Sequence, residues 1–407
     1  MNLWWINHYA VGPAHVGGTR HYSLGRELVD RGHDVTIVAA SFNHFSRASV
    51  PLEHGESCRV EVIDGVRFLW VRSPPYGASG AKRLWNMLRF ARDARRLGGG
   101  PTLPEPDVIL GSSPHPFAAL AAARLARQRR VPFVLEVRDL WPRTLVDIGG
   151  MPALHPLVLW LARIERHLYR AAARIVSVLP GAAEHIAMQG GDSGKVVWVP
   201  NGIDLSLVPE ASEPAQESGF KVMYAGSHGP ANQLDTVLDV ARVIEREGAP
   251  AGCSFVLVGD GPEKERLRRR AAAEGLDSVR FEPPCAKRDL YTLLASADVF
   301  VATLRSSSLY RSGMSLNKLF DYLALGKPTV FGAEVESNPI AESGAGIVVA
   351  PENTEAMVRA LRKLAALDPA ERVEMGRKGR AFVERHHDCA RLAKRLSSVL
   401  EDAASRS

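Results

Sequence analysis

Short apolar bursts alternate along the chain with longer stretches whose apolar residues recur at helical spacing. Leu3–Asn7 reads as a first strand, followed by the Gly- and Pro-containing loop Ala10–Thr19. A helix over Arg20–Arg31 comes next, with Tyr22, Leu24, Leu28 and Val29 on its buried stripe, and Gly32 ends it. HDVTIVAA is then a buried strand, completing the β-loop-α-β unit that opens a doubly wound sheet. The rhythm continues through strands DVILGSS, PFVLEVRD, RIVSVLP and KVVWVPNGID, with helices Pro116–Arg130 and Pro156–Ala172 between them. The polar run LVPEASEPAQESG breaks it and reads as a linker. Beyond it the pattern restarts. Strands FKVMYAG, CSFVLVGDG, VRFEPP, DVFVATL, PTVFG and GAGIVV alternate with helices Leu234–Gly248, Glu263–Glu274, DLYTLLASA and Asn317–Leu325. Helices Thr354–Leu367, Pro369–Arg385 and Cys389–Ala404 close the chain.

At 407 residues the chain exceeds one ordinary core, so the two runs read as two α/β domains. The divisions are 1–205, a linker over 206–219, 220–385, and a terminal helix and tail over 386–407. Two Rossmann-like domains aim their strand ends at a crevice, the default binding site. Composition is globular, 46% hydrophobic and 24% charged. Cys58, Cys253, Cys285 and Cys389 match no metal-ligand spacing and read as reduced thiols of a cytosolic protein. MNLWWINHYA has no basic n-region and reads as a strand rather than a signal peptide. The apolar run Leu157–Ala162 is far short of the roughly 20 residues of a spanning helix. Charge is uneven. The first 205 residues hold 24 Lys and Arg against 17 Asp and Glu, the rest 27 against 28. The basic half suggests an anionic partner: phosphate, nucleic acid or a lipid surface.

Candidate chemistry gathers where strands run into helices. Gly17 and Gly18 permit close backbone approach, and Arg20 and His21 sit in the first turn of the next helix. That loop either contacts a diphosphate or is a flexible turn. His115 stands between strand and helix, as a substrate contact or a cap. Glu136, Arg138 and Asp139 close another strand, as a salt-bridged cluster or as site residues. Gly226, Ser227 and His228 form a second candidate phosphate loop, and Gly259 a tight turn. Backbone from Phe281 to Cys285, including Pro283 and Pro284, is placed to read the edge of a base. The strongest signal is SGMSLNKLFDYLALGKPTV. Gly313, Met314, Ser315 and Asn317 precede or begin a helix whose N–H groups can cradle phosphate. Lys318 lies in its first turn, where the helix dipole disfavours a cation unless an anion compensates it. Asp321, one turn on, can accept two ribose hydroxyls.

Over nearly its whole length the chain resembles glycosyltransferase family 4, the retaining nucleotide-sugar transferases of the GT-B fold, and most of all its bacterial O-antigen, capsule and exopolysaccharide branch. GGTRHYSLGRELVDRGHDVTIVAA, EVRDLWP, VPNGID, YAGSHG, VGDGP and SLNKLFDYLALGKP carry the resemblance. It implies two Rossmann-like domains, the N-terminal one for the acceptor and the C-terminal one for the donor, with the last helix crossing back to the N-terminal domain. It implies transfer from a nucleotide sugar, UDP being the commoner choice, with retention and no protein-bound metal or other cofactor. The leaving phosphate takes the acceptor proton, so Lys318 stabilises the leaving group while His115 and Asp139 position donor or acceptor. The family pairs two Glu eight positions apart, one on the sugar and one on the ribose. Asp321 holds the second place, whereas Gly313 stands at the first. The family's frequent Arg and Lys after the second domain's first strand are also missing. Ser227 and Gln233 stand near those places, and Lys318 and Arg20 are the candidates to supply the lost charge.

The segment Ala81–Gly98 reads as a basic helix with Leu84, Trp85, Leu88 and Ala91 on its apolar stripe. Either it lies on an anionic bilayer, beside a polyprenyl-diphosphate-linked or glycan acceptor, or it packs on its own domain. A peripheral place on the inner face of the cytoplasmic membrane follows from the first reading. The alternatives in function are a nucleotide-sugar 2-epimerase of the same fold and a degenerate donor-binding subunit. Nucleic-acid binding is disfavoured, because no stacking platform accompanies the charge.

Overall fold

The computed structural model describes residues 1–44, 46–77, 80–97, 103–147, 149–209, 219–248, 250, 252–307, 310 and 313–406. Its contacts divide the chain into two units. One comprises Met1–Asn201, Ser312–Ser315 and Cys389–Ser407, the other Gly202–Arg311 and Leu316–Asp388. Most of the segment read as a linker lies outside the described residues, as does Gly98 at the end of the basic helix.

The first unit runs β1 (Asn2–Ile6), α1 (Arg20–Val29), β2 (Asp34–Ala40), β3 (Cys58–Ile63), β4 (Val66–Val71), α2 (Gly80–Arg95), β5 (Val108–Ser112) and α3 (Pro116–Arg129). It continues through β6 (Phe133–Val137), α4 (Arg143–Asp147), α5 (Pro156–Ala171), β7 (Arg174–Ser177), α6 (Ala182–Met188) and β8 (Val196–Trp198). The sheet order is β3-β4-β2-β1-β5-β6-β7-β8, parallel except for β3 against β4. Central strands are apolar on both faces, as a parallel sheet between helical layers requires. Trp5, Ile37, Phe68, Val108 and Val134 are fully or almost fully buried.

The hairpin β3–β4 is absent from the sequence reading. Its signal was present: Asp64 and Gly65, both at positive φ (47° and 80°), form the two-residue turn between CRVEVI and VRFLWV. The exposed edge strand β3 lacks the continuous apolar run by which the other strands were found.

The second unit carries β9 (Phe220–Ala225), α7 (Asp235–Glu247), β10 (Cys253–Val258), α8 (Lys264–Glu274), β11 (Val279–Glu282), α9 (Lys287–Ala295) and β12 (Val299–Thr303). Next come α10 (Asn317–Ala324), β13 (Thr329–Gly332), α11 (Pro339–Ser343), β14 (Gly346–Val349), α12 (Thr354–Ala366) and α13 (Pro369–His386). Its six strands, ordered β11-β10-β9-β12-β13-β14, are all parallel. The last helix, α14 (Cys389–Ser405), belongs to the first unit. It packs on α1, with Leu392, Ala393, Leu396 and Leu400 entering that unit's core.

Helix α2 turns Asn86, Met87, Phe90 and Ala94 inward. The stripe of Leu84, Trp85 and Leu88 therefore points outward, Trp85 being 56% exposed. On α5, Leu159 and Trp160 are exposed as well. Among the described residues no helix is long and apolar enough to cross a membrane.

Candidate functional site

In the second unit β9 ends at Ala225 and the chain turns at Gly226. Beside that turn begins α10, whose N-cap residue Leu316 offers no side-chain acceptor, so its first N–H groups are left for another partner. Lys318, in the first turn, donates from Nζ to the Tyr224 hydroxyl (2.8 Å) and to Asn232 Oδ1 (2.6 Å), with its ammonium over the Tyr224 ring. The missing side chain of Gly226 makes room for this, since a Cβ there would stand 3.1 Å from Lys318 Nζ. No carboxylate pairs with Lys318 among the described residues, and burial brings its pKa down to about 7.

Asp321 lies three residues further on and is 7% exposed. Its Oδ2 accepts from Lys287 Nζ (2.6 Å) and its Oδ1 from the Tyr291 hydroxyl (3.0 Å). The carboxylate assigned to ribose thus already has two protein donors, and each oxygen keeps a lone pair for another. Lys287 and Tyr291 are functional candidates that the sequence reading missed. They face Asp321 only because α9 packs beside α10, and no local spacing reports that.

His228 is fully buried, with neither ring nitrogen hydrogen-bonded. Burial, then Lys264, lowers its pKa to about 4, so it is neutral. The Ser227 carbonyl accepts from the Tyr224 hydroxyl (2.7 Å) and from Asn232 Nδ2 (2.9 Å). Gly259 stands against the Gly226 carbonyl. Pro283 and Pro284 follow β11 and are exposed.

The stretch read as one continuous seat from Gly313 to Lys318 divides. Residues Ser312–Ser315 are counted with the first unit. Asn201 donates its N–H to Ser315 Oγ (2.9 Å) and its Nδ2 to the Ser315 carbonyl (2.7 Å). Gly313 sits at φ 78°, where a Cβ would come within 2.3 Å of Pro180 Cγ. Met314 is partly exposed, and Asn317 is the first residue of α10.

In the first unit several expected site residues are engaged by partners within the protein. Arg20, read as a phosphate ligand, points inward. It donates to Glu136 (2.9 Å), to the Val199 carbonyl (2.8 Å) and to the Pro200 carbonyl. Glu136 also accepts from Ser112 Oγ (2.5 Å) and lies 3.1 Å from His21 Nε2. Burial would raise the Glu136 carboxyl, but Arg20, His21 and Arg138 outweigh it and hold it well below the usual carboxylate range. The acid of this cluster therefore pairs with Arg20 rather than with Arg138. Gly17 and Gly18 lie in the turn before α1. His115 is the N-cap residue of α3, yet its side chain caps nothing. It is fully buried with Nε2 2.6 Å from His8 Nδ1, which withdraws it from direct substrate contact in this geometry. Asp139, exposed just after β6, makes no side-chain hydrogen bond or ion pair among the described residues.

A family model described as "Glycosyl transferase 4-like domain" matches residues 17–202, and one described as "Glycosyl transferases group 1" matches residues 219–367. The chain belongs to the family 4 glycosyltransferases of GT-B fold. This glycosyltransferase is 24% identical to the putative colanic acid biosynthesis glycosyl transferase WcaI of Escherichia coli K12, over 83% of this chain and 85% of that one. Its fold is similar to that of sucrose-phosphate synthase from Thermosynechococcus elongatus, with a TM-score of 0.77, 16% identity and all of both chains covered. It is also similar to Anabaena HepE, solved in complex with UDP and glucose, with a TM-score of 0.67, 14% identity, and 98% and 99% of the two chains covered.

At the first place of the two-Glu pattern, Gly313 lies against Pro180, so a side chain there would require the local structure to shift. The loop after β9 also lacks the Arg and Lys of the family's pattern. Lys318 brings an ammonium to Asn232 and Gly226, beside the loop that lacks those cations.

Proposed function

We propose that the protein transfers a sugar from UDP to a lipid-linked or glycan acceptor, with retention of anomeric configuration, during assembly of a surface polysaccharide. One observation carries the donor half. Lys318 is a sequestered ammonium without a carboxylate, at an uncapped helix start and one turn before the only acid of α10. A nucleoside diphosphate supplies the missing negative charge, and Asp321 is spaced to accept from its ribose. UDP is favoured by the likeness to HepE, and a polysaccharide product by the likeness to WcaI.

In this reading Lys318 and the α10 N–H groups stabilise the leaving diphosphate, which takes the acceptor proton, and no protein-held metal is needed. His228, neutral and without a side-chain partner, and Ser227 line the same loop. Asp139, exposed just after β6 and without a side-chain hydrogen bond or ion pair among the described residues, orients the acceptor, and His115 positions it through His8. The outward Leu84, Trp85 and Leu88 of α2, flanked by Arg89, Arg92 and Arg96, rest on an anionic membrane where the lipid-linked acceptor is held. Triple replacement of those arginines by Glu should abolish co-sedimentation with anionic vesicles, and unchanged co-sedimentation would remove the membrane from the reading.

The donor assignment is tested by thermal shift with UDP, GDP, ADP and dTDP. UDP should stabilise most, and Asp321→Ala should remove that shift. An equal response to all four, or an unchanged UDP shift in the variant, defeats it. Retention is read from the anomeric coupling constant of the product compared with that of the donor.

A further inference from the structure

A second group of charged and aromatic side chains gathers at the C-terminal edge of the first unit's sheet. His8 follows β1, His44 follows β2, Tyr76 follows β4 and His115 follows β5, while Arg83 comes from the first turn of α2. The Tyr76 hydroxyl and His44 Nδ1 are 2.8 Å apart, and His8 meets His115 while stacking on Phe90. His8, Tyr9 and His44 line a small recess. Arg47 lies over the Tyr76 ring and donates to the Tyr76 carbonyl (3.1 Å).

The charge of this cluster has one sign. Arg83 acts on His8, His44, His115 and Tyr76, and Arg47 acts on His44 and Tyr76, while no carboxylate acts on any of the four. Burial, then Arg83, holds His44 near 4 and His115 near 3, and burial with His115 holds His8 low as well, so all three are neutral at pH 7. The cationic charge is therefore that of the two arginines. Arg83 makes no hydrogen bond or ion pair among the described residues, and its Nε is buried without a partner. Elsewhere the chain does pair its arginines: on α8, Arg266 and Arg270 are spread over Asp235, Asp239, Glu263 and Glu274.

We infer that Arg83, with Arg47 beside the His44–Tyr76 pair, forms an oxyanion site that takes a phosphate group. An unpaired buried N–H is unfavourable in the free protein, and a phosphate oxygen is the partner that satisfies it. The guanidinium fork matches two phosphate oxygens, and no nearby carboxylate competes for it. Loss of stability for the sake of binding is the usual signature of a functional charge. Calling that phosphate the acceptor's rests on the transferase reading above. The site itself does not, because its ligand can be tested without turnover.

The experiment is calorimetric titration with UDP at saturation, so that the second unit's seat is filled. The probes are geranyl diphosphate and inorganic pyrophosphate, with geraniol as the uncharged control. Geranyl diphosphate should bind, geraniol should not, and Arg83→Gln should weaken the diphosphate tenfold or more. The variant should leave UDP affinity unchanged and the melting temperature of the free protein equal or higher, which separates a binding role from a folding role. Arg47→Gln should give a smaller loss, about threefold. Equal weakening of pyrophosphate would support a site that reads free phosphate. Weakening of geranyl diphosphate alone would support a site that reads a lipid-linked one. If Arg83→Gln leaves both probes unchanged, or if saturating UDP prevents both from binding, the site is overturned. Failure of UDP to bind at all would instead strike the donor reading, whatever Arg83 does.

Discussion

In the first unit Glu136 takes Arg20, Ser112 and His21 around a single carboxylate, and Arg20 spends its remaining N–H groups on the carbonyls of residues 199 and 200. In the second unit Lys318 leans on two neutral oxygens, and the His228 ring finds no side-chain partner. Both units place polar side chains at the ends of parallel strands, where the topology of a doubly wound sheet puts ligand sites. The Glu136 and Lys318 networks differ in whether that polarity is closed on itself, and the Arg83 group of the first unit is open like the second of them. A closed network fixes strand and loop positions. An open one has been left with a charge or a lone pair for something that arrives later. Position at a strand end therefore does not separate site from scaffold, but the state of the partners does.

The largest expected effect breaks the closed network. Glu136→Gln keeps the shape but removes the counter-charge of the buried Arg20, and breaking a pair of this kind costs about 3–5 kcal/mol. Denaturant unfolding should show that loss. Hydrogen exchange should localise it to the first unit, with UDP binding by the second unit retained. A loss under about 1 kcal/mol would mean that water, rather than Glu136, neutralises Arg20, and the contrast would fall.

Lys318→Met should behave in the opposite sense. Replacing an unpaired, sequestered ammonium by an apolar chain of similar length should leave the free protein as stable or more so, while UDP affinity drops roughly 10–100-fold, the size of a lost charge-assisted contact. The pH dependence follows from the lowered pKa. The folded group is charged below about 7 and neutral above it, whereas the unfolded lysine stays charged to about 10.4. Between these values the unfolded chain binds more protons, so folding stability rises with pH. Binding of an anion goes the other way, and UDP affinity should fall above pH 7 by up to about tenfold per unit. Calorimetry across pH 7–9 with both proteins is the check. A flat profile for the parent protein, or an equally steep one for Lys318→Met, would show that the ammonium is not at the diphosphate.

Much of this was legible in the sequence because it is written in local periodicity. The strand and helix alternation, the restart after the polar run and the NKLFDY helix with Asp321 all follow from spacing within a few residues. What spacing does not report is set by partners far away in the chain. Arg20 looked like a phosphate ligand because it opens a helix after two glycines, yet Glu136 and the 199–200 backbone claim it across more than a hundred residues. The gap at Gly313 looked like a missing function, and there the backbone lies against Pro180, a contact only the folded chain shows. The stripe on α2 was open between a bilayer and its own domain; the helix buries Asn86, Met87, Phe90 and Ala94 instead, a face that apolar spacing alone does not single out.

The smallest effect tests whether the second unit is as open as the contrast makes it. Asp321 is not free: Lys287 neutralises it at 2.6 Å. Two outcomes are physically distinct. If Lys287 stays in place and donates one of its remaining N–H groups to a ribose oxygen while Asp321 accepts the hydroxyl proton, ammonium and carboxylate read the sugar together. If ribose displaces Lys287, the ammonium is a competitor. The partial exposure of Lys287 and the spare lone pair on each Asp321 oxygen favour the first. Lys287→Met should then weaken UDP by about fivefold, near 1 kcal/mol, and weaken 2′-deoxy-UDP less, because the deoxy ligand has one hydroxyl fewer to lose. A structural pair would lower both affinities by the same factor. Tighter UDP binding by the variant would show that Lys287 closes the Asp321 end of the site in the free protein, leaving the openness of the second unit to Lys318 and His228 alone.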